Sequence, residues 1–109
     1  MNIRLASSVL VGALIRTAEG EGGFGAVLAK GDATAGSVIV ILLERGANPL
    51  ILERILQPDG DYAWTQPSAE SPDVPEFVAR RRRFDPDLWV LELDVPAQER
   101  FAAGMNAFD

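Results

Sequence analysis

With 109 residues and 48% hydrophobic side chains, the chain is sized for one domain, 1–109, that can bury roughly two-thirds of its unfolded surface. It contains neither cysteine nor histidine, which excludes disulfides, thiolate nucleophiles, imidazole bases and the common zinc sites. A net charge of −6 disfavours nucleic acid as a general partner, because phosphate binding feeds on positive potential.

Residues 4 to 19 form the first expected helix, closed by the cluster Gly20, Gly22 and Gly23. At 100° per residue, Leu5, Ala6, Val9, Leu10, Ala13 and Leu14 cover one half of it. Val11 and Ile15 fall on the other half, so the helix is apolar on more than one side. Two readings of that second side stay open: a further layer of the same chain, or a subunit interface giving a homo-oligomer. The apolar run over 5–15 is far shorter than the roughly 20 residues of a membrane span. No small-residue cleavage pattern follows it, so neither secretion nor a membrane partner is expected.

The stretch "GFGAVLAK" (23–30) is short and β-like. "SVIVILLER" (37–45) holds six consecutive apolar residues, Val38 to Leu43, which predicts a central strand covered on both faces. After a turn at Gly46-Ala47-Asn48 a third strand runs over 49–57. Pro58-Asp59-Gly60 then makes a tight turn into "DYAWTQ" (61–66), with Tyr62 and Trp64 on one face. The Pro-rich, acidic 67–76 is the one linker-like stretch. Asp73 and Glu76 have capping-box spacing, and Pro75 sits in the first turn of a helix over 74–84. Asp85 before Pro86 disfavours continuing that helix. "LWVLELDV" (88–95) alternates, with Trp89, Leu91, Leu93 and Val95 on one face, and Pro96 opens a last helix ending near Gly104.

Four consecutive arginines, 80 to 83, close the 74–84 helix. Val74, Phe77, Val78, Arg81 and Phe84 share a stripe, so Arg81 faces the core and should reach Asp85 or Asp87. Arg80 lies four residues after Glu76, Arg82 points away from the stripe, and Arg83 lies at its edge. Three readings are open: an ion-paired helix end, an anion or nucleic-acid site, and a protein-partner patch. Trp64 is the freer tryptophan and the candidate for stacking, while Trp89 belongs to the core by parity. "KGDATAG" (30–36) has a phosphate-loop look without the Gly-Lys-Ser/Thr ending or a following helix, so it predicts a glycine-bracketed hairpin with Asp32 and Thr34 exposed. Carboxylate chemistry would fall to Asp32, Glu44 or Glu53.

Three stretches together resemble the bacterial family known as domain of unknown function 1491: "RLASSVLVGALIR" (4–16), "GGFGAVLAKGDATAGSVIV" (22–40) and "ARRRRFDPDLWVLELD" (79–94). The resemblance implies a compact bacterial protein and carries over no activity, cofactor or catalytic residue.

The expected architecture is α+β. An antiparallel sheet of four or five strands carries helices on one face, in the order α-β-β-β-β-α-β with a short C-terminal helix. The expected function is a small non-catalytic interaction module of the bacterial cytoplasm, with no cofactor and no metal. The alternative is binding of an anionic ligand or nucleic acid through Arg80, Arg82 and Arg83 with Trp64. A carboxylate enzyme comes third.

Overall fold

A computed structural model gives the structure, which describes residues 5–67 and 73–106. Arg4 and most of the expected linker, 68–72, lie outside the described residues. The elements are α1 (Ser7–Gly20), β1 (Phe24–Ala29), β2 (Val38–Glu44), β3 (Ala47–Leu56), β4 (Tyr62–Thr65), α2 (Val74–Phe84), β5 (Trp89–Val95) and α3 (Gln98–Met105). This is the α+β order expected from the sequence. The strands form one sheet in the order β1-β5-β2-β3-β4.

The sheet is mixed, which corrects the antiparallel expectation. β2 and β5 run parallel, with Val38 opposite Trp89 and Glu44 opposite Val95, while the other pairs are antiparallel. The cause is the return of the chain after β4. β5 does not extend the meander at its edge; it inserts between β1 and β2, so the hairpin expected at 30–36 does not form. A parallel return needs a long crossover, and α2 supplies it.

The helices also cover both faces, where one was expected. Val38, Val40 and Leu42 of β2 join Trp89, Leu91, Leu93 and Val95 of β5 beneath Leu10 and Leu14 of α1 and Phe101 and Met105 of α3. Ile39, Ile41, Ile51 and Val90 point the other way, toward Phe77, Val74 and Val78 of α2. The apolar run of β2 leaves that strand no polar side, so each face must be covered. Burying its side chains contributes roughly 1.5–3 kcal/mol per large residue before entropy is counted.

Within this frame the second apolar side of α1 is taken up by the protein's own sheet. Val11 is buried and Ile15 packs against the core. Val11 therefore offers no surface to a second copy, whereas Ile15 stays half-buried.

The turn between β2 and β3 is tighter than expected. Arg45 (φ 50°) and Gly46 (φ 81°) form a two-residue turn with both central residues left-handed. β3 accordingly starts at Ala47, and Asn48 (φ 54°) absorbs an irregularity between the Leu42 and Glu44 pairings. Glu44 and Gln98 tie this end of the sheet to α3: Gln98 N donates to Glu44 Oε2 (2.9 Å), and Gln98 Nε2 donates to the Leu42 carbonyl (2.8 Å).

Candidate functional site

The arginine run sits on α2, whose start is set as expected. Asp73 caps it, accepting a hydrogen bond from Glu76 N at 3.0 Å, and Pro75 lies in the first turn. Arg81 is the arginine that turns inward. Its guanidinium carbon lies 5.8 Å from the centre of the Phe77 ring, and its Nη2 donates to Glu53 Oε1 in an ion pair. The partner is thus Glu53 on β3, correcting the expected Asp85 or Asp87. Hydrogen bonding to Glu53 raises the Arg81 pKa above its ordinary value, against the opposing effect of burial, and the Asp85 charge adds to the rise. Asp85 has another task as well: its Oδ1 accepts from Asp87 N at 3.2 Å, closing the turn into β5.

Arg80, Arg82 and Arg83 are exposed, and among the described residues none makes an ion pair. Phe84 was expected to extend the core stripe, but it is 83% exposed. Phe84 lies seven residues beyond Phe77, roughly 10 Å further along the helix axis, where α2 has run past the sheet. Trp64 does not join these arginines. Its side chain packs against the α1/α3 core, on the face of the sheet opposite α2, and its backbone N donates to Asn106 Oδ1 at 2.9 Å. The expected arginine-tryptophan site is therefore divided between two faces.

The loop over 30–37 has a structural role that its sequence hid. Ser7 N and Ser8 N, at the start of α1, donate to the carbonyls of Thr34 (3.2 Å) and Ala33 (2.9 Å). Ser7 Oγ donates to the Gly36 carbonyl at 2.7 Å. The positive end of α1 is thus occupied by carbonyls of its own chain, which leaves it no anion-binding role. Asp32 is exposed, yet its Oδ2 accepts from Thr34 N (3.1 Å) and Ala35 N (2.9 Å), and Trp89 Nε1 donates to its carbonyl at 2.7 Å. Thr34 is also exposed and contributes its carbonyl to α1. Asp32 N donates to the Asp87 carbonyl at 3.0 Å, and a Cβ on Gly31 or Gly36 would collide with that same carbonyl. "KGDATAG" and "FDPDLW" are therefore two sides of one close backbone contact.

A cleft of about 380 Å³ opens beside this loop, between Leu5–Ser7, Thr34–Val38, Arg54 and Tyr62. The Arg54 guanidinium carbon stands 4.1 Å above the centre of the Tyr62 ring. No carboxylate lines the cleft among the described residues. The three carboxylates considered for catalysis lie apart in the fold. Glu53 holds Arg81 under α2, Glu44 caps α3, and Asp32 closes its own loop. Among the described residues no group of acids is placed to hold a metal ion, and no helix is long and apolar enough to cross a membrane.

Sequence reasoning missed one surface altogether. β1 is an edge strand, and Phe24, Val27 and Leu28 are 59%, 44% and 52% exposed. The signal was available in "FGAVLA", six residues with no charge and no proline, but its place at the edge depends on β5 arriving from the far end of the chain.

The family model described as "Protein of unknown function (DUF1491)" matches residues 5–103. A crystal structure of a DUF1491 family protein from Caulobacter crescentus CB15 is 36% identical, with a TM-score of 0.81 over 90% of this chain and 94% of that one. An NMR structure of a DUF1491 family protein from the same organism is 33% identical, with a TM-score of 0.78 over 92% and 94% of the two chains. The solution structure of Atu0922 from A. tumefaciens is 28% identical, with a TM-score of 0.73 over 91% and 92%. No curated protein matches. With the motifs, the family model and these bacterial structures in agreement, the chain belongs to the DUF1491 family.

Proposed function

We propose that the chain is a small interaction module of the bacterial cytoplasm, working through the apolar edge of β1. The observation that carries this reading is the exposure of Phe24, Val27 and Leu28 on an uncharged strand whose outer backbone groups have no neighbouring strand among the described residues. Such an edge is a template for pairing with another chain, and soluble proteins ordinarily blunt it unless it is used. The polar groups that first suggested chemistry are instead committed to the fold, through Arg81–Glu53, Glu44–Gln98 and the Asp32 loop. A cytoplasmic setting suits a chain that has no cysteine to oxidise.

The test is site-specific photo-cross-linking in cells, with the probe at Leu28 and, as a control, at Arg100 on α3. Discrete adducts from position 28 and none from position 100 are expected. Equal or absent adducts would remove the reading.

A second reading concerns anionic partners and rests on Phe84, exposed one helical turn from Arg80 and beside Arg83. That arrangement offers a stacking ring with two cations, but on a chain of net charge −6 it supports only weak, salt-sensitive binding. Titration of labelled single-stranded oligonucleotide at near-physiological salt measures it. Tight, sequence-dependent binding would put this reading first.

A further inference from the structure

The two edges of the sheet are treated differently. β4 is four residues long and half-buried throughout, and Asn106 occupies the Trp64 N–H on it. β1 is longer and mostly exposed, and among the described residues it has no such cover. We propose that β1 pairs antiparallel with the β1 of a second copy, joining two five-stranded sheets into one through a two-fold axis. This rests on the interaction-module reading and names its partner.

Charge selects the partner and the direction. Phe24–Ala29 carries no charge, so two copies can face each other without repulsion along the strand. Its ends are opposite in sign: Glu21 stands before it and Lys30, the single lysine of the chain, follows it, both exposed. Antiparallel pairing brings each Lys30 to the Glu21 end of the partner strand, whereas parallel pairing would set like against like. An antiparallel pair is also closed, because the same patch serves on both copies and no free apolar edge remains to recruit a third. The register break between Val27 and Ala29 limits the new ladder to the Phe24–Val27 end.

A strand pair alone falls short of the roughly 1,200 Å² buried in a stable interface. The element above it can supply the rest. Ile15 of α1 lies against Gly25 of β1, and a two-fold normal to the sheet would place both α1 helices on the same side of the joined sheet. Ile15, half-buried in one copy, would be covered further.

Sedimentation of the wild type from about 1 to 200 μM is the first arm, with a dimer expected in the upper range. Phe24→Lys and Val27→Lys should weaken the dimer at least about tenfold, while far-UV circular dichroism and the melt at a concentration where wild type and variants are monomeric stay unchanged, since both positions are exposed. Glu21→Lys and Lys30→Glu should each weaken it, and the double exchange should restore it. A wild type that is monomeric throughout, or a dimer indifferent to the strand and charge variants, overturns the proposal. If self-pairing fails while Leu28 still cross-links a different protein, the module reading stands without it; if neither occurs, both fall.

Discussion

The two faces of the sheet are built on different principles. The face under α1 and α3 is filled by apolar side chains around Leu10, Leu14, Leu91 and Leu93, and its polar groups, Ser7, Gln98 and the Trp89 nitrogen, donate to backbone carbonyls. The face under α2 is smaller, and it places a carboxylate, Glu53, among Ile39, Ile41 and Ile51. That carboxylate is tolerated because Arg81 comes down from the helix to meet it. One face draws its stability from packing. The other uses a charge pair to fix where a helix sits, at little net gain in stability.

Substitutions can break this contrast, and the largest effect should come from the dry face. Leu91→Ala removes a fully buried side chain and should cost about 3–5 kcal/mol, a large share of the roughly 5–15 kcal/mol that holds a domain together. Urea unfolding followed by circular dichroism measures it; a loss under about 1 kcal/mol would mean that this face is not the main core.

Next comes Arg81→Ala, which strands Glu53. In a dry site that would cost about 3–5 kcal/mol, but the Arg81 side chain is 30% exposed and water can reach the pair, so about 2 kcal/mol is expected. The raised pKa of Arg81 places its contribution below the unfolded arginine pKa, to be lost only as pH rises through the still higher folded value. Between pH 6 and 9 the difference between wild type and Arg81→Ala should therefore not change through the arginine. A pH-dependent difference in that window would show that another group holds the pair.

Arg82, one position on and exposed, is the internal control. Arg82→Ala should cost less than about 0.5 kcal/mol in the same unfolding assay. Equal losses at 81 and 82 would erase the distinction between the two arginines. The smallest effect is expected from the paired change Arg81→Met with Glu53→Leu. It removes both charges and keeps bulk, so stability should stay within about 1 kcal/mol of the wild type, while α2 loses the contact that fixes its position. A loss near that of Arg81→Ala alone would show that the pair contributes more than alignment.

Legibility in the sequence follows the range of each interaction. The stripe of α2 and the inward turn of Arg81 were readable because helical periodicity is local. Its partner was not, because Glu53 lies 28 residues away and meets α2 only after the chain has passed through β4. A hint existed in "LILERIL": Glu53 shares strand parity with Ile51 and Ile55, an acid on an otherwise apolar face. Phe84 was misplaced because periodicity gives the direction of a side chain and not where the sheet beneath it ends. Both-face coverage was present in Val38–Leu43, and that run was a better guide than the rule of helices on one side. Strand order and the parallel β2–β5 pair had no local signature. The exposure of β1, on which the candidate surface depends, inherits that blindness.

The position of β5 has a consequence for how the chain is made. It is the last of the five strands to be synthesised, yet it lies between β1 and β2, and among the described residues β1 has no other neighbour in the sheet. On the ribosome the β2–β3–β4 meander can form early from short-range contacts, while β1 must wait with its apolar residues unpaired until Trp89–Val95 emerges. Chain termination shortly before Trp89 would thus remove the middle of the sheet and not its margin, leaving β1 with α1 as its neighbour but without a strand to pair with.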